Sequence, residues 1–91
     1  MGARYVAGAV TALNTMREGA PLRLVREPDN PHDRNAVLVT TADGQPLGHI
    51  DRGTARGVAL AIDRGRRVRA RYDGRYTVIV SWPTTSAREA M

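Results

Sequence analysis

Residues 26–35 read REPDNPHDRN, and this polar stretch separates two apolar segments, residues 22–25 and 36–39. Apolar segments on both sides of a polar stretch predict two strands joined by a loop. The ten polar and proline positions exceed the roughly two to five residues of an ordinary hairpin connection. Pro28 and Pro31 fix their own φ angles and push the residue before each toward extended geometry. We therefore expect one fixed loop shape that directs its charged, amide and imidazole side chains outward, and we predict the functional site there.

The size of the chain indicates one small domain. A chain of 91 residues buries about 60–65% of its unfolded surface, so its core is modest. We expect the domain to occupy residues 1–83 and a loose tail to occupy residues 84–91. The sequence has no cysteine and no apolar run of the roughly 18 residues that a membrane span needs. The expectation is a cytoplasmic monomer without disulfides or thiolate metal sites.

The charge of the chain favours a polyanionic partner. Lys and Arg together number 14, all of them arginine, against 9 acids, which gives a net charge of +5 and a pI near 11. One interpretation of the absence of lysine is a GC-rich genome, but arginine also suits phosphate contacts and stacking on bases better than lysine does. Nucleic acid is the simplest partner for this charge.

Five segments have the alternating or β-branched pattern of strands, and Asp43-Gly44 has the chemistry of a hairpin turn between two of them. These segments are residues 21–27, 36–41, 46–50, 66–72 and 76–82. The segment 66–72 alternates most strongly. Its predicted core side consists of Val68, Ala70 and Tyr72, and its opposite, arginine side consists of Arg67, Arg69 and Arg71. The arginine side is interpreted either as a solvated face or as a track for a DNA backbone.

Residues 4–16 (RYVAGAVTALNTM) form a segment with two interpretations. Loose alternation and β-branched residues such as Val10 and Thr11 favour a strand, bent at Gly8 where the missing side chain permits a bulge. The three alanines of this segment favour a helix instead. We predict the strand.

One helix is predicted over residues 52–64. Its apolar residues recur at helical spacing, Asp51 is a suitable N-cap for the backbone N–H of Gly53 or Thr54, and Gly65 is a suitable C′ residue. With the segment at 4–16, the predicted strands number six. The fold class predicted is mostly β with one or two short helices, arranged as a small OB-like six-stranded β-barrel.

Three motifs in order resemble the HIRAN domain family over nearly the whole chain. The first is Arg4-Tyr5 followed by Gly8, the second is REPDNPHDRNAV at residues 26–37, and the third is DG followed by LGHI at residues 43–50, just before the helix. The family occurs at the N-terminus of some DNA-remodelling helicases and as a stand-alone protein in bacteria. The resemblance implies an OB-like barrel that binds the 3′ end of single-stranded DNA in DNA repair or replication-fork processing.

The resemblance also implies a set of DNA-binding residues. Arg4 and Tyr5 match positions that contact the terminal nucleotide, and His49 and Arg52 match positions near the phosphates. Asn30, His32 and Asp33 match the loop positions that hold the 3′ end of the DNA. In this pattern the carboxylate of Asp33 accepts a hydrogen bond from the free 3′-hydroxyl. The family pattern commonly has a stacking tyrosine where this chain has His32. A further stacking aromatic has Tyr72 or Tyr76 as its candidate, and we predict Tyr72.

Several residues of these motifs also have a structural interpretation. Tyr5 suits a strand in the core, and Asp33 and Asn35 suit turns in which the side chain accepts from its own backbone. His49 suits a histidine that anchors the long loop to the start of the helix.

The predicted function is single-stranded DNA binding without catalysis, cofactor or metal. The first alternative is a protein-interaction module that docks on a helicase or nuclease. The second alternative is a metal-dependent hydrolase acting on nucleic acid, since His32, Asp33, His49 and Asp51 are metal-ligating residue types. The two histidines lack a third ligand at a recognisable spacing, and no phosphate-binding glycine loop or nucleophile elbow occurs.

Overall fold

A single antiparallel sheet organises the chain in a computed structural model, which describes residues 3–5 and 9–82. Its six strands lie in the order β1-β4-β3-β2-β5-β6. The bounds are β1 (Ala3–Tyr5), β2 (Pro21–Arg26), β3 (Val37–Thr41), β4 (Pro46–Ile50), β5 (Arg69–Tyr72) and β6 (Val78–Ser81). Two helices, α1 (Ala9–Thr15) and α2 (Arg52–Asp63), complete the described chain. The prediction of a mostly-β fold with one or two short helices is confirmed.

The strands predicted at the centre of the sheet agree with the structure. Strand β2 pairs with the whole length of β3, from Leu22 opposite Thr41 to Arg26 opposite Val37. The turn from β3 to β4 uses Gly44 at φ +97°, a conformation that suits glycine. Among the described residues, β1 and β6 are sheet edges with one neighbour each. Closure of the sheet into an OB-like barrel therefore stays a prediction, and the tail predicted at residues 84–91 lies outside the described residues.

The caps of α2 were predicted correctly. The Asp51 carboxylate accepts from the backbone N–H and the hydroxyl of Thr54, at 3.3 and 3.0 Å. Gly65 follows the helix at φ +74°, and its N–H donates to the Ile62 carbonyl at 2.9 Å. These contacts satisfy backbone groups that a helix end leaves unpaired. Within the described part of the chain, no helix is long and apolar enough to cross a membrane.

The strand predicted over residues 4–16 is wrong for its second half. Only Ala3–Tyr5 is a strand, whereas Ala9–Thr15 is helix α1. The bulge predicted at Gly8 lies outside the described residues. Alanine is the best helix former, and an apolar 9/12/13/16 spacing in the sequence fits one face of a helix. Leu13 is 2% exposed, and Met16 packs against the same core, so tertiary packing decides in favour of the helix.

The core lies between the helices and one face of the sheet. Residues of both helices and of five strands form one buried cluster: Leu13, Leu22, Val37, Val39, Leu47, Ile50, Ala55, Val58, Ala59, Ala70, Tyr72 and Val78. Ala70 and Tyr72 are buried while Arg69 and Arg71 are exposed, so the predicted alternation in β5 is confirmed. The opposite face of the sheet is turned away from the two helices.

Candidate functional site

The loop between β2 and β3 is held in shape by its own backbone. The N–H of Glu27 donates to the Ala36 carbonyl at 3.0 Å and closes the base of the loop. Inside the loop, the N–H of Asn30 donates to the Glu27 carbonyl and the N–H of Ala36 donates to the Asp33 carbonyl, each at 3.0 Å. These hydrogen bonds, together with the fixed φ angles of the prolines, agree with the single loop shape that we expected.

Two short polar side chains fold the loop further. The Asn30 side-chain oxygen accepts from the N–H of His32 at 2.8 Å and of Asp33 at 3.3 Å. The Asp33 Oδ1 atom accepts from the N–H of Asn35 at 2.9 Å. Both are turns of the kind that Asn and Asp favour, so the structural interpretation of Asp33 is correct for one of its two oxygens.

Arg26 ties the loop to the end of α2. Its Nε and Nη2 atoms donate to the two carboxylate oxygens of Asp63 at 3.0 and 3.1 Å, and Nη1 donates to the carbonyls of Arg34 and Ala36 at 3.1 and 3.0 Å. The hydrogen bond to Asp63 raises the pKa of Arg26 above its ordinary value, and the same bond lowers the pKa of Asp63. The guanidinium group of Arg26 therefore links β2 to the loop and to the end of α2.

Glu27 contacts two of the predicted site residues, and the sequence prediction missed it. Its Oε1 atom lies 2.6 Å from Nε2 of His49 on β4 and also accepts from Nδ2 of Asn30 at 3.4 Å. The contact with His49 is an ion pair when the imidazole is protonated. The alternative in which His49 anchors the loop is therefore correct. The sequence contained a signal for this contact. Glu27 lies at the start of the loop, just before Pro28, and the structural interpretation of His49 required a partner in that loop.

An open cleft of about 360 Å³ lies between the loop, β4 and the start of α2. We call it the loop cleft, and its lining is Asn30, His32, Asp33, Ala36, His49, Ile50 and Arg52. Five of the predicted site residues are in this lining, although they come from three different elements. His32 is exposed there. The floor contains the apolar side chains of Ala36 and Ile50, which are 6% and 4% exposed.

Asp33 and Arg52 face each other across the loop cleft without touching. The Oδ2 atom of Asp33 lies 4.0 Å from Nε of Arg52, and the two side chains are 19% and 77% exposed. This separation exceeds the roughly 2.7–3.2 Å of a hydrogen bond between nitrogen and oxygen. The pair thus presents an acceptor-only group and a donor-only group to whatever enters the cleft.

The backbones of Arg4 and Tyr5 lie beside the loop cleft. In the pairing of β1 with β4, Arg4 is opposite His49 and Tyr5 is opposite Gly48. The first strand is therefore the direct neighbour of the strand that carries His49, which is one wall of the cleft.

The structure does not support Tyr72 as a DNA contact. Its side chain is 2% exposed within the core, and its hydroxyl oxygen accepts from the N–H of Tyr76 at 2.9 Å. The physical reason was already present in the alternation of β5, which places Tyr72 on the core side. Tyr76 is 47% exposed, but its hydroxyl donates to Asn14 of α1, and neither tyrosine lines the loop cleft.

The described residues contain no group of three or more His, Asp and Glu side chains placed to share a metal ion. In particular, His49 is engaged by Glu27, and Asp51 is engaged by Thr54 at the helix cap. Two of the four residues that suggested a metal site therefore have side-chain hydrogen-bond partners.

The HIRAN domain family matches residues 1–78 of the chain. The helicase-like transcription factor of Mus musculus is 41% identical over 63 residues, which cover 69% of this chain and 6% of that protein. The protein of the same name from Homo sapiens is 35% identical, also over 63 residues and with the same 69% and 6% covered. The chain thus spans about 6% of the length of these curated relatives.

Two solved structures have a similar fold. A crystal structure of a protein from Lactobacillus plantarum has a TM-score of 0.68 at 30% identity, and the match covers 85% of this chain and 78% of that chain. The crystal structure of the HIRAN domain of human HLTF has a TM-score of 0.64 at 22% identity, and the match covers 82% of this chain and 69% of that chain. The second likeness is evidence of the fold alone.

Proposed function

The chain belongs to the HIRAN domain family, which matches residues 1–78, and on this basis we propose that it binds single-stranded DNA at a free 3′-hydroxyl end. The terminal nucleotide occupies the loop cleft in this proposal. The domain acts as a binding module without a catalytic step or cofactor, in DNA repair or replication-fork processing.

The observation that carries this proposal is the gap of 4.0 Å between Oδ2 of Asp33 and Nε of Arg52. A hydroxyl group both donates and accepts, so one hydroxyl oxygen beside this pair donates to the carboxylate and accepts from the guanidinium. Hydrogen bonds to charged groups are the strong ones. A 3′-phosphate places negative charge against Asp33, and a continuing strand has no hydroxyl proton to donate there. The same two side chains thus favour a free end over both competitors.

Other residues of the loop cleft suit the rest of a terminal nucleotide. His32 is exposed at the cleft and offers a ring for stacking on a base, an interaction worth about 1–3 kcal/mol per base when the ring is a good platform. Arg52 is the first residue of α2, and helix N-termini attract phosphate groups. The Nε2 atom of His49 contacts Glu27. The Nδ1 atom is therefore the ring nitrogen of His49 that we assign to a ligand.

A second candidate function is a protein-interaction module. The relatives named above are helicase-like transcription factors, and the chain matches about 6% of their length. A domain of that kind works beside a motor, so docking on a helicase or nuclease is the alternative for the exposed loop. A hydrolase dependent on a metal ion is less well supported, because His49 and Asp51 have structural partners.

The test is fluorescence anisotropy with one short single strand that ends in either a 3′-hydroxyl or a 3′-phosphate. We expect the hydroxyl form to bind roughly 10- to 100-fold more tightly, the range for a hydrogen bond to a charged group. Asp33→Asn should abolish this preference, because it keeps a side-chain oxygen for the Asn35 N–H but replaces the carboxylate that faces Arg52. Asp29→Asn is the matched control, since Asp29 is exposed on the same loop and does not line the loop cleft.

Each outcome of this test has a definite meaning. Equal binding of the two ends with a steep salt dependence would reduce the protein to a basic surface without end selection. Absence of binding at low salt would reject the DNA proposal and favour the protein-interaction module.

A further inference from the structure

The sheet face turned away from the helices can be traced from strand to strand through its register. Val25 is opposite Leu38, and Leu38 is opposite His49. Residues directly opposite in an antiparallel pair lie on the same face, so His49 of the loop cleft shares this face with Val25 of β2. We call it the outer face.

The outer face continues from β2 onto β5 and β6. Side chains alternate along a strand, so Arg23 lies on the same face as Val25, as does Pro21. Pro21 is opposite Arg71, and Arg69 lies on the same side of β5 two residues earlier. Ile79 and Ser81 of β6 are opposite Arg71 and Arg69. One continuous surface therefore joins the wall of the loop cleft to the far edge of the sheet.

Three arginines of the outer face have no ion pair with a described acidic residue. Arg23, Arg69 and Arg71 are all exposed, and none has an ion pair with any of the described acids. No Asp or Glu occupies a strand position of the outer face; the nearest acid along β2 is Glu27, which is engaged by His49. Unpaired arginines at neighbouring positions favour a partner with repeated negative charges.

Apolar side chains lie between the arginines and the loop cleft. Val25 is 43% exposed, and Leu38 beside it is half-buried. The span from β4 across β3 and β2 to β5 is three strand spacings, about 14 Å in total. A surface with apolar positions near the cleft and arginines beyond it has the two chemistries that a single strand offers, bases and phosphates.

We propose that the outer face carries the DNA strand on the 5′ side of the captured end, with Arg23, Arg69 and Arg71 bound to its phosphates. This inference rests on the proposed function, because the loop cleft sets where the strand begins. It assigns a role to arginines that the end contact itself does not use. The strand leaves the loop cleft over Leu38 and Val25 and then reaches β5.

The test is an NMR titration of the ¹⁵N-labelled protein with two 3′-hydroxyl strands, a dinucleotide and an oligonucleotide of about 8 nucleotides, within the site size of about 4–16 nucleotides for related barrels. The dinucleotide should shift amides of the loop cleft only. The longer strand should also shift the amides of Arg23, Arg69 and Arg71 and should bind about tenfold more tightly at low salt.

Arg69→Gln/Arg71→Gln should remove the advantage of the longer strand and leave dinucleotide binding unchanged. Because each lost phosphate contact lowers the salt slope by about 0.7 for single strands, the slope should fall by about 1.4. The control is Arg17→Gln/Arg64→Gln, which removes the same charge at exposed positions outside the strand positions of the outer face. The spectrum of each free variant reports whether its fold is intact.

The outcomes separate this inference from the proposed function. If the 3′-hydroxyl preference holds but both strand lengths bind equally, the outer face carries no DNA and end capture survives. An equal loss in the Arg17→Gln/Arg64→Gln control also overturns the inference, since net charge alone then explains the effect. If the longer strand binds through Arg69 and Arg71 with no preference for a 3′-hydroxyl, end capture is overturned and the arginine surface stands by itself.

Discussion

The Nε2 atom of His49 lies 2.6 Å from the Oε1 atom of Glu27, and this contact joins β4 to the first residue of the loop. The same carboxylate oxygen accepts from Nδ2 of Asn30, whose own oxygen accepts from the N–H groups of His32 and Asp33. A chain of hydrogen bonds therefore runs from β4 into the part of the loop that lines the loop cleft. Because each bond orients the next, the positions of His32 and Asp33 in the loop cleft depend on Glu27, which lies outside the cleft lining.

Glu27→Ala should weaken binding of a 3′-hydroxyl strand although Glu27 does not line the loop cleft. The substitution removes the contacts of Glu27 with Nε2 of His49 and Nδ2 of Asn30, so we expect a roughly 5- to 30-fold weaker affinity, measured by fluorescence anisotropy. Hydrogen exchange of the His32 and Asp33 amides should accelerate in the same variant. Glu18→Ala is the control, because Glu18 is exposed in the turn before β2. Unchanged affinity and exchange in Glu27→Ala would show that the loop keeps its shape without the contacts of Glu27.

Features of the candidate site and of the helix next to it were predictable where they depend only on neighbouring residues in the sequence. The polar loop between two apolar strands is visible in the sequence, and Asp51 and Gly65 have cap positions that depend only on their neighbours. The partner of His49 was not predictable in this way. Glu27 and His49 are 22 residues apart, and only the pairing of β3 with both β2 and β4 brings them together.

The wrong prediction for residues 9–15 has a similar cause. The alanines and small residues there satisfy a loose alternation as well as a helical spacing, and the sequence does not say which face has a core to pack against. The burial of Leu13 against the core decides it. Tyr72 lies on the core side of β5, as the alternation of that strand predicted, and its burial argues against the DNA contact that the family resemblance implied.

Leu13→Ala should destabilise the protein strongly, since Leu13 is 2% exposed and anchors α1 in the core. Truncation of a buried leucine costs about 2–5 kcal/mol, a large part of the stability of a domain this small. Urea unfolding followed by circular dichroism measures this change in the free energy of unfolding. Thr15→Ala, on the exposed side of the same helix, should change it by less than about 0.5 kcal/mol. A small effect of Leu13→Ala would mean that α1 is not part of the cooperative core.

The Arg26–Asp63 pair should make stability depend on pH in the acid range. Its hydrogen bond lowers the pKa of Asp63 below the ordinary value of 3.8. A carboxyl with a lowered pKa in the folded state stabilises the protein at pH values above its unfolded pKa, and this contribution disappears as the pH falls through the folded pKa. Asp63→Asn should therefore lower Tm at pH 7, and the difference from the unmodified protein should shrink below pH 3.8.

Thermal unfolding of both proteins between neutral and strongly acidic pH tests this dependence. Asp29→Asn is the control, because Asp29 has no ion pair among the described residues. Thr41 and Arg75 make hydrogen bonds that also lower the pKa values of Asp43 and Asp73, but these groups are the same in all three proteins. A Tm difference for Asp63→Asn that stays constant into acid would assign its effect to packing and not to charge.

His32→Tyr should strengthen binding of a 3′-hydroxyl strand. His32 is exposed in the loop cleft, where the family pattern commonly has a tyrosine, and a phenol ring offers a larger stacking surface than an imidazole. Stacking on an aromatic ring is worth about 1–3 kcal/mol per base, of which the imidazole already supplies a part, so we expect a roughly 3- to 10-fold tighter Kd by isothermal titration calorimetry. The loop should keep its shape, because only the backbone N–H of residue 32 donates to Asn30.

His32→Ala should bind more weakly than either ring, and the preference for a 3′-hydroxyl should be the same in all three proteins, since it depends on Asp33 and Arg52. If the tyrosine and alanine variants bind equally, the side chain at position 32 does not lie on a base, and the terminal nucleotide is held by its sugar and phosphate alone.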